Sequence, residues 1–463
     1  MVPDPRPRRH RPQCVGRVVG NCHRGAVMRP EGPASMLVGD LDLDRPIPRV
    51  PCGAQHVAAR LLVRLHTLPV CEVVLPTDGK ALRPVDIATS IWPQIRSRVA
   101  AHLDADGVPV PDRLPLTGLP RLPAPNCLRG QTLTAPEAPT ATIVIDADDR
   151  PASLIHCLAS LSRLDYPAEF DVVVIDSTPG GTTTAEALGK TSAWPFELRY
   201  LRTARHGSAL AHNTALPFVT GRLVAFIDND VEVDPRWLAA LAEGFTDPSA
   251  TCVTGLILPA ELETHAQLWM EQAGGFTRGF TRLDYRKGRP PPDGLFPFTA
   301  GRFGSGMNMA FRTEWLLGTG GFDPATGAGT PARGGDDLIA FLRVIMDGKL
   351  LVYQPAAIVR HRHRREYAGL RKQSYGYGVG LGAYLTASLC EDPALLAPML
   401  RRAAPAMRYL LGRGSAKNAG KQPGFPLELV WRERLGLCAG PFAYATSRWQ
   451  HRKTERPTWK VAG

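Results

Sequence analysis

The sequence predicts an α/β protein, with a largely parallel sheet flanked by helices, a small α+β module before it and a helical extension after it. Three observations carry this. From residue 141 onward, short apolar runs alternate with stretches of helical spacing, the pattern of strands joined by crossover helices. Several of those runs end in acid, most plainly residues 223–234, L-V-A-F-I-D-N-D-V-E-V-D. An unbroken apolar run bounded by turn-prone residues fits a strand buried on both faces. Helical text without strands fills the last quarter of the chain.

Residues 1–35 hold seven Arg against Asp4 and Glu31 and show no hydrophobic period, so they read as a disordered basic tail. Met28 and Met36 leave room for a later start. Residues 36–114 read as an accessory α+β module: strands at 58–66 and 70–75 form a hairpin, and 82–103 carries helical spacing with Pro93 as a kink or break. The prolines at 115, 120, 123, 125, 136 and 139 mark 115–140 as a linker.

The main domain is expected over 141–365. Strands fall at 142–145, 171–175, 197–201, 223–228 and 251–256. Helices open at Pro151, well placed in a first turn, and cover 208–216 and 235–245. A strand-like 349–353 precedes an expected loop at Pro355. In the extension, 366–463, glycines at 376, 378, 380 and 382 allow tight helix packing. Residues 395–411 mix apolar side chains with Arg401, Arg402 and Arg408, a composition suited to an anionic membrane surface. Residues 427–449 read as a helix pair around Gly440-Pro441.

A formal net charge of +12 favours polyanionic partners, whether phosphate esters, nucleic acid or anionic lipid. The nine cysteines are dispersed with no C-x-x-C pair, which fits reduced thiols better than a disulfide framework or a zinc site. No window approaches the roughly 18 apolar residues of a spanning helix, and the N-terminus has no apolar signal core. The expected location is cytoplasmic, with peripheral contact at the inner face of a membrane as an extension of that reading.

The chemistry starts at Asp228 and Asp230. Two carboxylates one residue apart, leaving a strand at its carboxyl end, can reach one hard divalent cation and leave its remaining positions free for phosphate oxygens. Asp176 and Asp146 end strands, where an acid can accept from a base N–H or a ribose hydroxyl; the alternative for Asp176 is an Asx turn with Ser177. Asp336 and Asp337 follow two glycines and open a helical pattern. Helix capping accounts for either acid, and the alternative is a general base.

The motifs T-I-V-I-D-A-D-D-R-P-A-S-L, V-V-V-I-D-S, A-F-I-D-N-D, S-G-M-N-M-A-F-R, G-G-F-D-P, G-G-D-D and V-R-H-R-H-R-R follow one another in order from 141 to 365. In that order and spacing the chain resembles the family 2 glycosyltransferases, enzymes of the Rossmann-like GT-A fold, and within them a subgroup of bacterial envelope and natural-product pathways. The resemblance runs to about residue 384. It implies metal-assisted, inverting transfer of a sugar from a nucleoside-diphosphate donor to a hydroxyl acceptor, with Mg²⁺ or Mn²⁺ as the cation. It implies Asp230 as direct metal ligand, Asp228 as a ribose contact or water-mediated ligand, His361 near the metal or diphosphate, and Arg205 near the donor. It makes Asp337 the base, with Asp336 its catalytic neighbour. The acceptor it implies is a glycan, a lipid-linked carrier, a peptide or a small molecule, and no nucleic acid.

Three positions depart from the family pattern. His212 stands where relatives carry Arg. Asp146 to Asp149 are acidic where relatives have Pro or Ala, Thr and Arg, with Arg150 as the obvious counter-charge. Ile339 stands where another acid is common. They motivate the alternative of a nucleotide-sugar-binding relative without turnover; a nucleotidyltransferase is the second alternative.

Overall fold

The structure, a computed structural model, describes residues 35–455 except 124, 129–132, 135–136, 148–149, 179–181, 191–192, 204, 413 and 416. The expected basic tail, Ser35 aside, lies outside the described residues, as do Asp148 and Asp149.

The N-terminal module is a three-stranded sheet, β1 (Ser35–Asp42), β2 (His56–Leu65) and β3 (Leu68–Pro76), in that order. The expected hairpin is β2–β3; β1 adds to it in parallel with β2. Gly39 and two Asp give β1 poor strand propensity, so pairing rather than composition makes it a strand. Helix α1 (Pro84–Ala105) buries Ile87, Ile91, Ile95, Val99 and Leu103 against this sheet and runs through Pro93 without ending.

In the main sheet β4 (Ala141–Asp146), β5 (Phe170–Asp176), β6 (Glu197–Arg202) and β7 (Leu223–Asp228) are parallel, ordered β7-β4-β5-β6. Helices α2 (Pro151–Leu161), α3 (Thr183–Gly189) and α4 (Ser208–Ala215) lie in the connections. The chain continues through β8 (Val231–Val233), α5 (Trp237–Glu243), β9 (Ala250–Pro259), α6 (His265–Gln272) and β10 (Leu283–Tyr285). It then forms β11 (Asn308–Arg312), α7 (Thr313–Gly318), α8 (Asp336–Met346) and β12 (Leu350–His361).

Strand β11 inserts antiparallel between β7 and β9, β12 runs parallel to β9, and the short β8 and β10 pair with β12. Period-2 alternation sends Val144, Val173 and Phe226 to one apolar layer and Ile143, Val172 and Ala225 to the other, so the sheet is buried on both faces as expected. The loop expected at Pro355 is instead a register shift between Gln354 and Ile358 inside β12. An irregularity absorbs the missing proline N–H, and the strand carries on to deliver His361.

The extension comprises α9 (Tyr367–Glu391), α10 (Leu396–Arg401), α11 (Ala403–Leu411) and α12 (Leu427–Glu455). In place of the expected pair, α12 is one helix with Pro441 inside it. Helices α9 and α12 cross through glycine: a Cβ on Gly378 would overlap the Glu433 carbonyl, and one on Gly382 would overlap the Leu437 carbonyl. Leu62 of β2 packs with Leu256, Leu258 and Ile358, joining the N-terminal module to the sheet.

Because backbone faces backbone at that crossing, Gly378→Ala must separate the two helices. The variant is expected to lose about 1–3 kcal/mol in urea unfolding, while Gly189→Ala, with open space around it, stays within about 0.5 kcal/mol of wild type.

Candidate active site

The parallel strands place their acids along one edge. Register sets Asp146 of β4 beside Asp228 of β7, and Asp176 closes β5. After Asp228 the chain turns through Asn229, whose buried side-chain amide donates to the Ala147 carbonyl and fixes the D-N-D turn. The β8–β12 pairing follows at once, with the Arg362 N–H donating to the Asp230 carbonyl at 3.1 Å. Asp230 is therefore held between two strand ends. Its Oδ2 accepts from Arg150 Nη1 at 2.6 Å. Its Oδ1 is buried without a hydrogen-bond partner and lies 3.4 Å from Nε2 of His361.

The second group of acids comes from α8. Gly334 and Gly335, at φ 152° and 95°, let the chain turn sharply into the helix. Asp337 Oδ2 accepts from the Gly306 N–H and Oδ1 from the Leu338 N–H, both at 2.8 Å. Asp336 accepts from Ser208 Oγ at 3.1 Å and faces His212 Nδ1 at 3.9 Å. Burial, then the adjacent charge of Asp336, pushes the Asp337 carboxyl up to about 7. Burial raises Asp228 well above the carboxylate range, and the charges of Asp230, Asp146, Asp336 and Asp337 raise it further. Acids from three separate parts of the chain thus act on one space.

Residues 142–315 match the family model described as glycosyl transferase family 2. Over that stretch the chain is similar to the family 2 glycosyltransferases. Its mixed sheet has helices on both faces, as expected of the GT-A fold. The pre-mycofactocin glycosyltransferase of Mycobacterium tuberculosis is 28% identical over 172 residues, 37% of this chain and 33% of that protein. The succinoglycan biosynthesis protein ExoM of Rhizobium meliloti is 29% identical over 143 residues, 30% of this chain and 46% of that protein. The chain thus spans between a third and a half of these relatives' length. A solved mannosyltransferase from Pyrobaculum calidifontis, in complex with GDP-Man and Mn2+, aligns at TM-score 0.40 and 19% identity, over 70% of this chain and 77% of that one.

The donor side of the glycosyltransferase domain differs in part from expectation. Asp176 is 1% exposed and both its oxygens are engaged, by the Thr178 N–H at 3.0 Å and the Tyr200 hydroxyl at 2.8 Å, so the Asx-turn reading describes it better than a free nucleotide contact. Asp146 accepts from Ser177 Oγ at 2.9 Å. Arg205 approaches His451 of α12 at 3.3 Å, which ties the donor-side loop to the extension. Burial lowers His212 to about 4, so a neutral ring, wedged between Phe226 and Phe322, replaces the relatives' Arg. Ile339 is simply core, 1% exposed. Arg150, expected opposite the acids that follow Asp146, reaches Asp230.

The sequence reading missed what stands behind His361. Its Nδ1 meets Nδ1 of His363 at 2.9 Å, and Nε2 of His363 meets Oε1 of Glu271 at 2.7 Å. Arg60, from β2 of the N-terminal module, donates to Oε2 of Glu271 at 2.6 Å and grips Glu72 with two further bonds at 2.7 and 2.8 Å. Burial alone would raise Glu271, but Arg60 and His363 hold it down at about 2. An ionised carboxylate only accepts, so it takes the proton on His363 Nε2. The Nδ1–Nδ1 contact holds one proton between the two rings, and Nε2 of His361 faces the orphaned Oδ1 of Asp230. Burial lowers His361 to about 4. From α9, the exposed Tyr377 stands near Asp228 and Asp230, and its hydroxyl accepts from Gln373 Nε2 at 2.6 Å. In the sequence these partners are 60, 271, 363 and 377, with nothing local to join them.

The raised carboxyl of Asp337 has a signed consequence. Its native pKa exceeds its unfolded value, so the native state binds the extra proton and the group's cost appears as pH rises from about 4 through 7. Asp337→Asn is expected to raise the melting temperature relative to wild type at pH 7.5 and to change it little at pH 4.5. Equal shifts at both pH values would contradict the crowding.

Proposed function

We propose that the protein is a metal-assisted, inverting glycosyltransferase that moves a sugar from a nucleoside-diphosphate donor to a hydroxyl acceptor, with Asp337 as general base. The observation that carries this reading is the joint placement of Asp337 and the Asp228–Asp230 turn around one space, with Asp337 raised toward neutral pH.

Asp230 and His361 fit a divalent cation: a buried, unpartnered carboxylate oxygen faces an imidazole nitrogen whose other nitrogen is already engaged. When bound there, with Asp228 alongside, Mg²⁺ or Mn²⁺ would neutralise the donor's diphosphate and the crowded acids. The residues perform the remainder. The backbone N–H of Gly306 and the first turn of α8 orient Asp337. Its carboxylate takes the acceptor's proton as the acceptor oxygen bonds to the anomeric carbon, from the face opposite the diphosphate. The bond to the diphosphate oxygen breaks and its electron pair leaves with that oxygen. A carboxyl near 7 is a far better base than one near 4, and about half of it is still ionised at neutral pH. The two bacterial relatives, one acting on pre-mycofactocin and one in succinoglycan biosynthesis, support a natural-product or envelope pathway.

The same proposal places the acceptor at a membrane surface. No helix among the described residues is long and apolar enough to cross a membrane. Yet α10 to α12 expose Leu400 at 65%, Trp431 at 65%, Leu435 at 65% and Phe442 at 77%, interleaved with Arg401, Arg408 and Arg434. Arg434 donates to the Leu410 carbonyl at 3.2 Å, so the α11 and α12 faces adjoin. Exposed aromatic and aliphatic groups among cations suit an anionic interface.

A panel of UDP-, GDP- and dTDP-sugars, scored by thermal stabilisation with and without Mn²⁺, tests the site. One donor class should stabilise the protein only with metal, and Asp230→Ala should abolish that response. Asp337→Asn should keep it while transfer falls by at least about 10²-fold; undiminished transfer would remove Asp337 as the base. Co-sedimentation with phosphatidylglycerol vesicles should retain the protein at low salt, and Trp431→Ser with Phe442→Ser should release it. Equal behaviour with neutral vesicles, or no binding, would remove the membrane contact.

A further inference from the structure

Outside the acidic edge, the N-terminal module brings together three residues of different chemistry. His66 lies in the two-residue turn between β2 and β3, where His66 and Thr67 both adopt positive φ, 53° and 70°. That is the geometry of a tight hairpin turn, which ordinarily selects Asn-Gly, and a histidine followed by a β-branched residue is costly in it. Asp106 caps the C-terminus of α1. Cys127 belongs to a one-turn 3₁₀ helix, Asn126–Leu128, in the segment leading to the main domain.

The three converge. Nδ1 of His66 lies 3.2 Å from Cys127 Sγ and 3.6 Å from Asp106 Oδ2. The side chains of His66 and Asp106 are only 2% and 1% exposed. Asp106 Oδ1 accepts from the Asn126 N–H, which turns Oδ2 toward the histidine and the thiol. Oδ2 of Asp106, on the side of the histidine Nδ1 and the thiol, is buried with no hydrogen-bond partner. Leaving such a group unsatisfied costs about 1–3 kcal/mol. Around a tetrahedral zinc ion, with bonds of about 2.0–2.3 Å, neighbouring N, S and O ligand atoms stand about 3.4–3.6 Å apart, close to the separations found here.

We propose that His66, Asp106 and Cys127 form a structural zinc site that fastens the segment after α1 to the β2–β3 turn. One imidazole nitrogen, one thiolate and one carboxylate oxygen suit Zn²⁺ over Mg²⁺ or Mn²⁺, because the thiolate is soft and the histidine intermediate. A water or another protein group completes the tetrahedron, and His102, one turn before Asp106 on α1, stands close enough to His66 to feel its charge. Without metal, burial and then Asp106 push the Cys127 thiol up to about 11. Binding at neutral pH therefore releases the thiol proton to solvent. Three ligands from three separate elements show no sequence spacing, which is why dispersed cysteines argued against zinc.

Cobalt titration of the full-length, metal-stripped protein tests this directly, since Co²⁺ in a thiolate site gives a near-ultraviolet charge-transfer band that an oxygen-rich Mn²⁺ site does not. The expected result is such a band, saturating near one equivalent, displaced by Zn²⁺ and lost in Cys127→Ser. Zinc should also slow iodoacetamide labelling of Cys127 at least about tenfold in the wild-type protein, mapped by mass spectrometry, without protecting the exposed Cys390 and Cys438. No charge-transfer band in the wild type, or a band with no protection of Cys127, would overturn the site, and neither result depends on the variant folding.

Discussion

Mutual repulsion among carboxylates is the constraint around which this molecule is arranged. Asp146, Asp228, Asp230, Asp336 and Asp337 crowd one space, and there burial first, then neighbouring charge, raises the carboxyls of Asp228, Asp336 and Asp337. Strand ends and a helix start bring them there because the two buried layers of the sheet leave those termini no other exit. Burial of the apolar strands and of α8 holds the acids together against their repulsion. Arg150 offsets part of it. The remainder is stored as raised proton affinity, which makes a carboxylate useful as a base and receptive to a cation.

The apparently separate N-terminal module takes part in this arrangement. Arg60 reaches from β2 to Glu271, and Arg64 of the same strand meets Asp234, just past β8, at 2.8 Å. Arg360 of β12 returns the contact to Asp40 of β1 at 2.6 Å. The Arg60–Glu271 and Arg64–Asp234 pairs are largely buried; such pairs add little net stability over apolar packing, but losing one partner costs about 3–5 kcal/mol. They therefore specify a single seating of the module on the sheet. Through Glu271 and His363, that seating also decides how His361 presents its ring.

Much of this was legible in the sequence where a local pattern carries it. The unbroken run of β7 announced a strand buried on both faces, and two glycines before Asp336 and Asp337 announced a helix starting in acid. Where tertiary context overrides local preference, the text misled. Pro355 reads as a break, yet a bulge lets β12 pass through it, and Pro441 reads as a corner, yet α12 continues. Asp146 and Asp176 read alike as strand-terminal acids; only the fold shows that Tyr200 and a turn N–H occupy Asp176. The chain from Arg60 to His361 was invisible because its partners are joined by hydrogen bonds that no spacing encodes, and in H-R-H-R, where β12 ends, His361 and His363 turn inward while Arg362 and Arg364 stay exposed.

The glycine contact between α9 and α12 fixes one more property. Tyr377 of α9 overhangs the acids one residue before Gly378, so the ledge against α12 begins immediately behind the reacting space. A helix rises about 1.5 Å per residue, and the crossing admits no cushion of side chains that could stretch or yield. Whatever α12 rests on is thereby held at a set stand-off from the cleft. On the proposed reading, an acceptor tethered to the same support would carry its hydroxyl on a stalk of matching reach, and tether length, as much as sugar identity, would sort substrates.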